Sequence, residues 1–284
     1  MRKSKSARRG QKAKGSAGIE PEVPEVLAFE LADQIVEDPE GVATELIAMA
    51  WEASDAEASR ALALEALALD PRASDALLIL ASLLSFDSPE AMEMAQRALH
   101  LAEENMGERP FERFAGRFWE AVETQPYLRA RSLLVDILNH RGQSDAAIEH
   151  LQAVLDLWPD ETIGARYQLL RLLFDADRLE EIERLLKRYP EDATAYWTYG
   201  WALLSFKREG RSPASDDRLR HATTINGYAP HYLLGRYRLP STRPVTTDAG
   251  SRGDSQVYAL DFLDCWKATP GALEWLREAR RGKM

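Results

Sequence analysis

The sequence predicts an all-α fold made of antiparallel helix pairs that stack side by side. Apolar residues recur three and four positions apart along most of the chain, which is the spacing of one face of an α-helix. Proline or glycine interrupts this pattern about every ten to eighteen residues, as expected for short helices joined by turns. Three segments also end alike, which indicates an internal repeat; they are Ala63–Pro71, Ala95–Glu103 and Leu151–Pro159. No segment has the alternating pattern of a β-strand.

The shared ending identifies the class of repeat. Each copy has a small or apolar residue, another three positions later and then a leucine, and two copies close on Pro71 and Pro159. It matches the second helix and exit of a tetratricopeptide (TPR) unit, a helix pair that repeats at ~34 residues. One pair cannot bury its apolar face alone, so such pairs stack into a solenoid with a groove. The sequence therefore predicts a TPR-like α-solenoid, which favours a binding scaffold.

Five helix pairs are predicted, preceded by an amphipathic helix at Val26–Val36. The pairs are Val42–Trp51 with Ala56–Leu69, Ser74–Leu84 with Pro89–Ala102, the two helices of the unit Pro126–Pro159 around the turn Arg141-Gly142-Gln143, Ile163–Phe174 with Leu179–Tyr189, and Ala193–Phe206 with Pro213–Thr224. An extra aromatic-rich helix is expected at Arg109–Glu123. A further unit should begin at Pro230 with Tyr232-Leu233-Leu234-Gly235.

The predicted domain organisation has four parts: a disordered basic tail at 1–20, TPR-like repeats at 21–240, a loop at 241–253 and capping helices at 254–284. The loop contains Pro244, several Thr and Ser residues and two glycines, which break helices. Val257–Trp266 and Gly271–Arg280 then form a last pair, and a solenoid needs such a pair to cover its exposed end.

Charge is distributed unevenly along the chain. The first 18 residues contain seven basic and no acidic residues: Arg2, Lys3, Lys5, Arg8, Arg9, Lys12 and Lys14. Because the whole chain carries −10, this leaves −17 for residues 19–284, and a surface that acidic repels nucleic acid. The tail itself is expected to be disordered. It either contacts nucleic acid or an anionic membrane, or it only keeps the chain soluble.

Composition predicts a cytoplasmic protein without a transmembrane segment. No apolar run approaches the ~20 residues that span a bilayer, and no apolar segment follows the basic tail as in a signal peptide. The one cysteine, Cys265, cannot form an internal disulfide, which fits a reducing compartment.

No catalytic or metal-binding set is evident. None of the five histidines lies three or four residues from another, so no helix presents two imidazoles on one face. Cys265 lies on an apolar helix face beside Trp266, where a buried, inert thiol is expected. Glu180-Glu181 and Asp216-Asp217 resemble solvated or first-turn charges. We expect no cofactor, no metal and no enzymatic activity; an unrecognised site between the loop 241–253 and the groove is the alternative.

The first helices of the pairs should line the groove, with side chains that helix packing does not need. The candidates are Arg129, Asp136, Asn139, Arg166, Tyr167, Arg171, Trp197, Trp201, Tyr232 and Arg236. Arginine and aromatic residues are concentrated at protein interfaces, and such a groove could hold an extended peptide or an acidic tail. Alternatively, Trp197 and Trp201 form a core stripe, and Arg129 and Arg171 belong to a solvated face.

A more specific resemblance is carried by strings from Phe111 onward. They are Phe118-Trp119 with Glu123–Arg131, Gly164-Ala165-Arg166-Tyr167, Arg208-Glu209-Gly210 with Ser212-Pro213-Ala214, Asn226 with Pro230 and Tyr232–Gly235 up to Leu239-Pro240, and Trp266 with Ala268–Leu273 and Trp275-Leu276. Over about residues 25–280 the chain resembles bacterial TPR proteins related to the suppression-of-tumorigenicity-7 family. The resemblance implies an all-helical TPR-like fold with no established activity or cofactor.

The chain departs from that family at turn and cap positions. Gln125 stands where an arginine is usual, Trp158–Glu161 replaces an Asn-Pro-Asn-Asp turn, and Asn226-Gly227 replaces Asn-Pro. We expect the fold to survive these changes, whereas a ligand held by that arginine is not expected here. The membrane anchor of animal relatives and the zinc-binding SEC-C motif of some bacterial relatives have no counterpart in this sequence.

Three functions remain open from the sequence. The first is a cytoplasmic adaptor that holds a peptide or partner protein in the groove. The second is a nucleic-acid-associated accessory protein that uses the basic tail. The third is an enzyme with an unrecognised site.

Overall fold

The computed structural model describes residues 38–280, which contain only helices, turns and coil. Its all-helical, paired architecture confirms the predicted TPR-like fold class. The basic tail and the helix predicted at Val26–Val36 lie outside the described residues. The described chain consists of two compact units, residues 38–73 and residues 74–280.

The first unit is one helix pair, α1 (Pro39–Glu52) and α2 (Ala56–Leu69). The carboxylates of Asp38 and Asp55 cap the two helices by accepting hydrogen bonds from backbone amides that the first turn leaves unpaired. The helices pack through small residues, and Ala43, Ala50 and Ala63 are at most 3% exposed. Alanine at these positions lets the two backbones approach closely.

The second unit contains the remaining helices and most of the core. They are α3 (Ser74–Ser82), α4 (Pro89–Met106), α5 (Arg109–Arg113), α6 (Gln125–His140), α7 (Ser144–Leu157), α8 (Ala165–Asp175), α9 (Leu179–Arg188), α10 (Ala195–Glu209), α11 (Pro213–Ile225), α12 (Ala229–Leu233), α13 (Arg252–Ala268) and α14 (Ala272–Ala279). The pairs are α3/α4, α6/α7, α8/α9 and α10/α11, and the second helix of each pair packs on the first helix of the next.

Proline and glycine set the helix ends as the sequence indicates. Pro89 and Pro213 lie in the first turn of α4 and α11, where the amide that proline lacks would have no helical partner. Ser88 and Ser212 cap the same two helices. Gly210 follows α10 at φ 66°, a backbone conformation that favours glycine.

The prediction of one continuous helix at Arg109–Glu123 is wrong. Only Arg109–Arg113 is α-helical, and two single turns of 3-10 helix follow at Phe118–Glu120 and Val122–Thr124. Gly116, between the helix and the first of these turns, has a φ of 83°. Phe118 is fully buried against the rings of Phe111 and Tyr127, at 5.3 and 5.8 Å between centroids. Packing of this aromatic group therefore overrides the helical periodicity of the segment.

The unit expected to begin at Pro230 opens with a short helix. Its first helix, α12, has five residues, and the chain turns at Gly235 with a φ of 68°. The amides of Arg236 and Tyr237 both donate to the carbonyl of His231, which ends the helix in a tight turn. The chain then has no regular helix until α13 begins at Arg252.

The C-terminal pair does more than cover the end of a stack. Helix α13 packs against α8, α10, α12 and α14, so it lies across two first helices as well as beside its own partner. Phe262 contacts the rings of Phe174 and Tyr196 at 5.5 and 5.6 Å, and Tyr258 contacts Tyr199 at 5.6 Å. Tyr258 and Phe262 are fully buried, which makes α13 part of the core.

Candidate interaction surface

The first helices α3, α6, α8 and α10 follow one another along one side of the second unit. Contacts between α3 and α6 and between α8 and α10 place them next to each other without an intervening second helix. We call this side the inner surface. Because α13 covers α8 and α10, the open part of the inner surface lies on α3, α6 and the adjoining edge of α8.

Arg129 joins α6 to α3 on this surface. Its guanidinium forms a two-pronged ion pair with the carboxylate of Asp75, with Nε donating to Oδ1 at 2.9 Å. The Arg129 side chain is 31% exposed and that of Asp75 only 13%, so the pair is half-buried. A bidentate pair of this kind is strong and directional. Arg129 is therefore already neutralised and is not a free binding group for an acidic peptide.

Arg171 joins α8 to α6 in a similar way. Its Nη2 donates to Oδ1 of Asn139 at 2.8 Å, and its Nη1 donates to the carboxylate of Asp175 one turn later. Asp175 in turn accepts a hydrogen bond from the thiol of Cys265 in α13, at 3.2 Å. Burial, followed by the charge of Asp175, raises the pKa of the Cys265 thiol well above its ordinary value. The inert thiol predicted for Cys265 agrees with this environment.

Asp136 differs from its neighbours on the inner surface. The residue is exposed, and within residues 38–280 its carboxylate has no hydrogen bond or ion pair. Enough protein nevertheless surrounds the carboxyl group that desolvation raises its pKa. A partly desolvated anion without a partner is costly, and a cationic group placed against it would remove that cost.

Arg166 and Tyr167 hold two turns together. The guanidinium of Arg166 donates to the carboxylate of buried Glu161 at 3.2 Å and lies 4.8 Å from the centre of the Tyr189 ring. The hydroxyl of Tyr167 donates to Asp192 at 3.1 Å, and burial raises the pKa of Tyr167 to about 12. These contacts fix the turns before α8 and α10. Both side chains are used within the fold.

Trp197, Trp201 and Tyr232 are not free groove residues. Trp197 is 1% exposed, and its indole nitrogen donates to the carbonyl of Leu186, which makes it a core residue. Trp201 is half-buried beneath the guanidinium of Arg218, at 4.6 Å. Tyr232 is 1% exposed, and its hydroxyl accepts hydrogen bonds from Arg252 and Gln256. The helical periodicity of these positions therefore reflects packing. For Trp197 and Trp201 this agrees with the alternative prediction that they form a core stripe.

The structure thus brings together four of the ten candidates and adds two residues. We call this set the open strip: Asp75, Arg129, Asp136, Asn139, Arg171 and Asp175. The spacing of Arg171 and Asp175 is visible in the sequence as an i,i+4 ion pair. Asp75 could not be found in this way, since its partner is 54 residues away. Arg236 is exposed, but it follows α12 and is not on any of the helices that carry the strip.

Residues 38–280 contain neither a metal-binding cluster nor a membrane-spanning helix. No group of three or more His, Cys, Asp or Glu side chains is placed there to hold a metal ion. None of the helices in this range combines the length and apolar character needed to cross a bilayer.

The chain has matches among protein families and among solved structures. The sequence model of a family described as tetratricopeptide repeat matches residues 176–223, which span α9, α10 and most of α11. No curated protein matches the sequence at a significant level. Among solved structures, the chain is similar to YrrB, described as a TPR protein with an unusual peptide-binding site, with 19% identity and a TM-score of 0.47 over 72% of this chain and 92% of that one. Residues 176–223 therefore match a TPR unit, a helix pair of the kind that stacks into a solenoid.

Proposed function

We propose that the protein is a non-catalytic scaffold that binds an extended segment of a partner protein along the open strip. The observation that carries this proposal is Asp136, an exposed, partly desolvated carboxylate on α6 that has no partner within residues 38–280. The ion pairs of Arg129 and Arg171 hold the neighbouring helices in place. The free charge on the strip is therefore negative.

This charge defines the partner segment more closely. A lysine or arginine opposite Asp136 would pair with its carboxylate, and the amide of Asn139 and the exposed edge of Arg171 offer further polar contacts. A peptide that presents a basic residue is thus favoured over the acidic tail that the arginines alone suggest.

Selection of peptides from a displayed random library tests this proposal. Peptides selected on the wild-type protein should be enriched in lysine or arginine, and Asp136→Lys should weaken their binding about tenfold or more, because a charge-assisted contact becomes a repulsion. Fluorescence anisotropy with the selected peptides measures this change.

Glu149→Lys is the matched control. Glu149 is an exposed carboxylate on α7, the second helix of the same pair, so the variant has the same change of charge away from the inner surface. It should bind the selected peptides within about twofold of wild type. Failure to select any peptide, or equal binding by wild type and Asp136→Lys, would contradict the proposal.

The family, the cellular location and the domain organisation are proposed from the sequence. We propose a bacterial TPR protein related to the suppression-of-tumorigenicity-7 family, on the strings described above, and a cytoplasmic location, on the single cysteine. The parts 1–20, 21–240, 241–253 and 254–284 remain the proposed domain organisation. Contact with nucleic acid is proposed only for the basic tail.

A further inference from the structure

Three arginines from different parts of the chain converge around His231. Nη1 of Arg280, at the end of α14, lies 3.1 Å from Nδ1 of His231. Arg236 follows α12, and its backbone amide donates to the carbonyl of His231 at 2.8 Å. The Arg252 guanidinium at the start of α13 lies 5.6 Å from the centre of the Tyr237 ring, which stacks on His231 at 4.4 Å. We call Arg236, Arg252 and Arg280 the arginine patch.

Among residues 38–280, no carboxylate neutralises the arginine patch. Within residues 38–280, none of its three guanidinium groups forms an ion pair, whereas Arg129 and Arg171 each do. The buried carboxylate of Asp254 is near in sequence, but it accepts hydrogen bonds from backbone amides and from Asn226. His231 reports the local charge, because burial and then the positive charges of Arg280 and Arg236 lower its pKa.

Exposed aromatic rings accompany the arginines. Tyr237 is 39% exposed and Tyr228 46%, although most large apolar and aromatic residues of the unit are buried. Arginine and tyrosine dominate the energetically important positions of protein interfaces. The whole chain carries a net charge of −10, so a cluster of arginines without ion pairs makes the surface potential locally positive. This positive potential would steer an anionic partner to the arginine patch.

We propose that the arginine patch binds an acidic segment of a partner protein, one with several aspartate or glutamate residues close together. Each guanidinium can take one carboxylate in a two-pronged contact, and the tyrosines supply apolar area around it. The arginine patch shares no residue with the open strip, so it adds a second point of attachment, one that favours an acidic segment where the strip favours a basic one.

A peptide fits this surface better than single-stranded nucleic acid. Binding of nucleic acid relies on aromatic rings with free faces on which bases stack. The Tyr237 ring is already stacked on His231 and lies beside Arg252, so it is engaged within the protein. The acidic body of the chain also repels a long polyanion, whereas a short acidic segment can be confined to the patch.

Fluorescence anisotropy with a short labelled peptide of alternating glutamate and serine tests the proposal on the full chain. Wild type should bind this peptide in a salt-sensitive way, and Arg236→Glu with Arg252→Glu should weaken binding about tenfold or more, since two charge-assisted contacts are reversed. The control is Arg97→Glu with Arg184→Glu, two exposed arginines on α4 and α9. It has the same net charge and should weaken binding about twofold or less.

The single variant Arg236→Glu separates weaker binding from unfolding, which the double variant could also cause. In the described residues the Arg236 side chain has no hydrogen bond, so this variant should keep the wild-type circular dichroism spectrum and still bind more weakly. The proposal is overturned if wild type does not bind the peptide, if the control variant loses as much affinity, or if a lysine–serine peptide binds equally well. Tighter binding of a single-stranded oligonucleotide of equal charge would also overturn it and assign the patch to nucleic acid.

Discussion

Trp266→Ala should lower the free energy of unfolding by about 3–5 kcal/mol, as expected for loss of a fully buried aromatic side chain. Trp266 is 0% exposed, and its ring lies 6.2 Å from that of Trp275 and 6.5 Å from that of Tyr199. Its indole nitrogen donates to the hydroxyl of Tyr258 at 2.7 Å, so the variant also leaves that buried hydroxyl without its donor. Urea unfolding followed by circular dichroism measures the loss.

The neighbouring residue provides the control for this prediction. Lys267 follows Trp266 in α13, but its side chain is 55% exposed and pairs only with Asp264 one turn earlier. Lys267→Ala should change the free energy of unfolding by about 0.5 kcal/mol or less. Similar losses for the two variants would mean that α13 is not buried on its aromatic face.

Asp254→Ala should lower the free energy of unfolding by about 2–4 kcal/mol, because it leaves several buried donors unpaired. The Asp254 carboxylate is 1% exposed and accepts hydrogen bonds from the amides of Ala195 and Gly250 and from the Asn226 side chain. It thereby ties the start of α13 to the start of α10. Burial raises the pKa of Asp254, so burying its charge has a cost, and the variant regains part of the lost stability.

Asp264→Ala removes the same side chain from the solvent face of the same helix. Asp264 is 91% exposed and contacts only Lys267, so its loss should cost about 0.5 kcal/mol or less. Chemical denaturation at pH 7 compares the two variants. An Asp254→Ala protein as stable as Asp264→Ala would show that this carboxylate does not join α10 and α13.

The helix pairs could be predicted from the sequence because their ends and faces are local properties. The bounds predicted for α2, Ala56–Leu69, are those of the structure, and α11 extends one residue beyond the predicted Thr224. Cap residues, first-turn prolines and three-to-four spacing are sufficient for such helices. The same spacing failed at Arg109–Glu123, where burial of Phe118 among aromatic rings decides the backbone path.

Much less of the candidate surface could be predicted, because it depends on contacts between distant residues. Asp75 and Arg129 are 54 positions apart, and Asp175 and Cys265 are 90 apart. Periodicity marks which positions of a first helix face away from its partner, but it does not show that α13 covers α8 and α10. For this reason Tyr232, whose hydroxyl accepts hydrogen bonds from Arg252 and Gln256 of α13, was a groove candidate, whereas Asp136 is the charged residue of the open strip that has no ion pair within residues 38–280.

Cross-linking between α8 and α13 tests the central claim most directly, namely that the C-terminal helix lies across the inner surface. Asp175→Cys adds a second cysteine to the chain, at a position whose native carboxylate lies 3.2 Å from the Cys265 sulfur. Mild oxidation of dilute protein, followed by mass spectrometry of an unreduced digest, should show a disulfide between positions 175 and 265 within one chain. Asp145→Cys, at an 80% exposed site on α7, should leave Cys265 free. If Asp175→Cys also leaves Cys265 free, or forms only links between chains, α13 does not lie against α8 and the account is wrong.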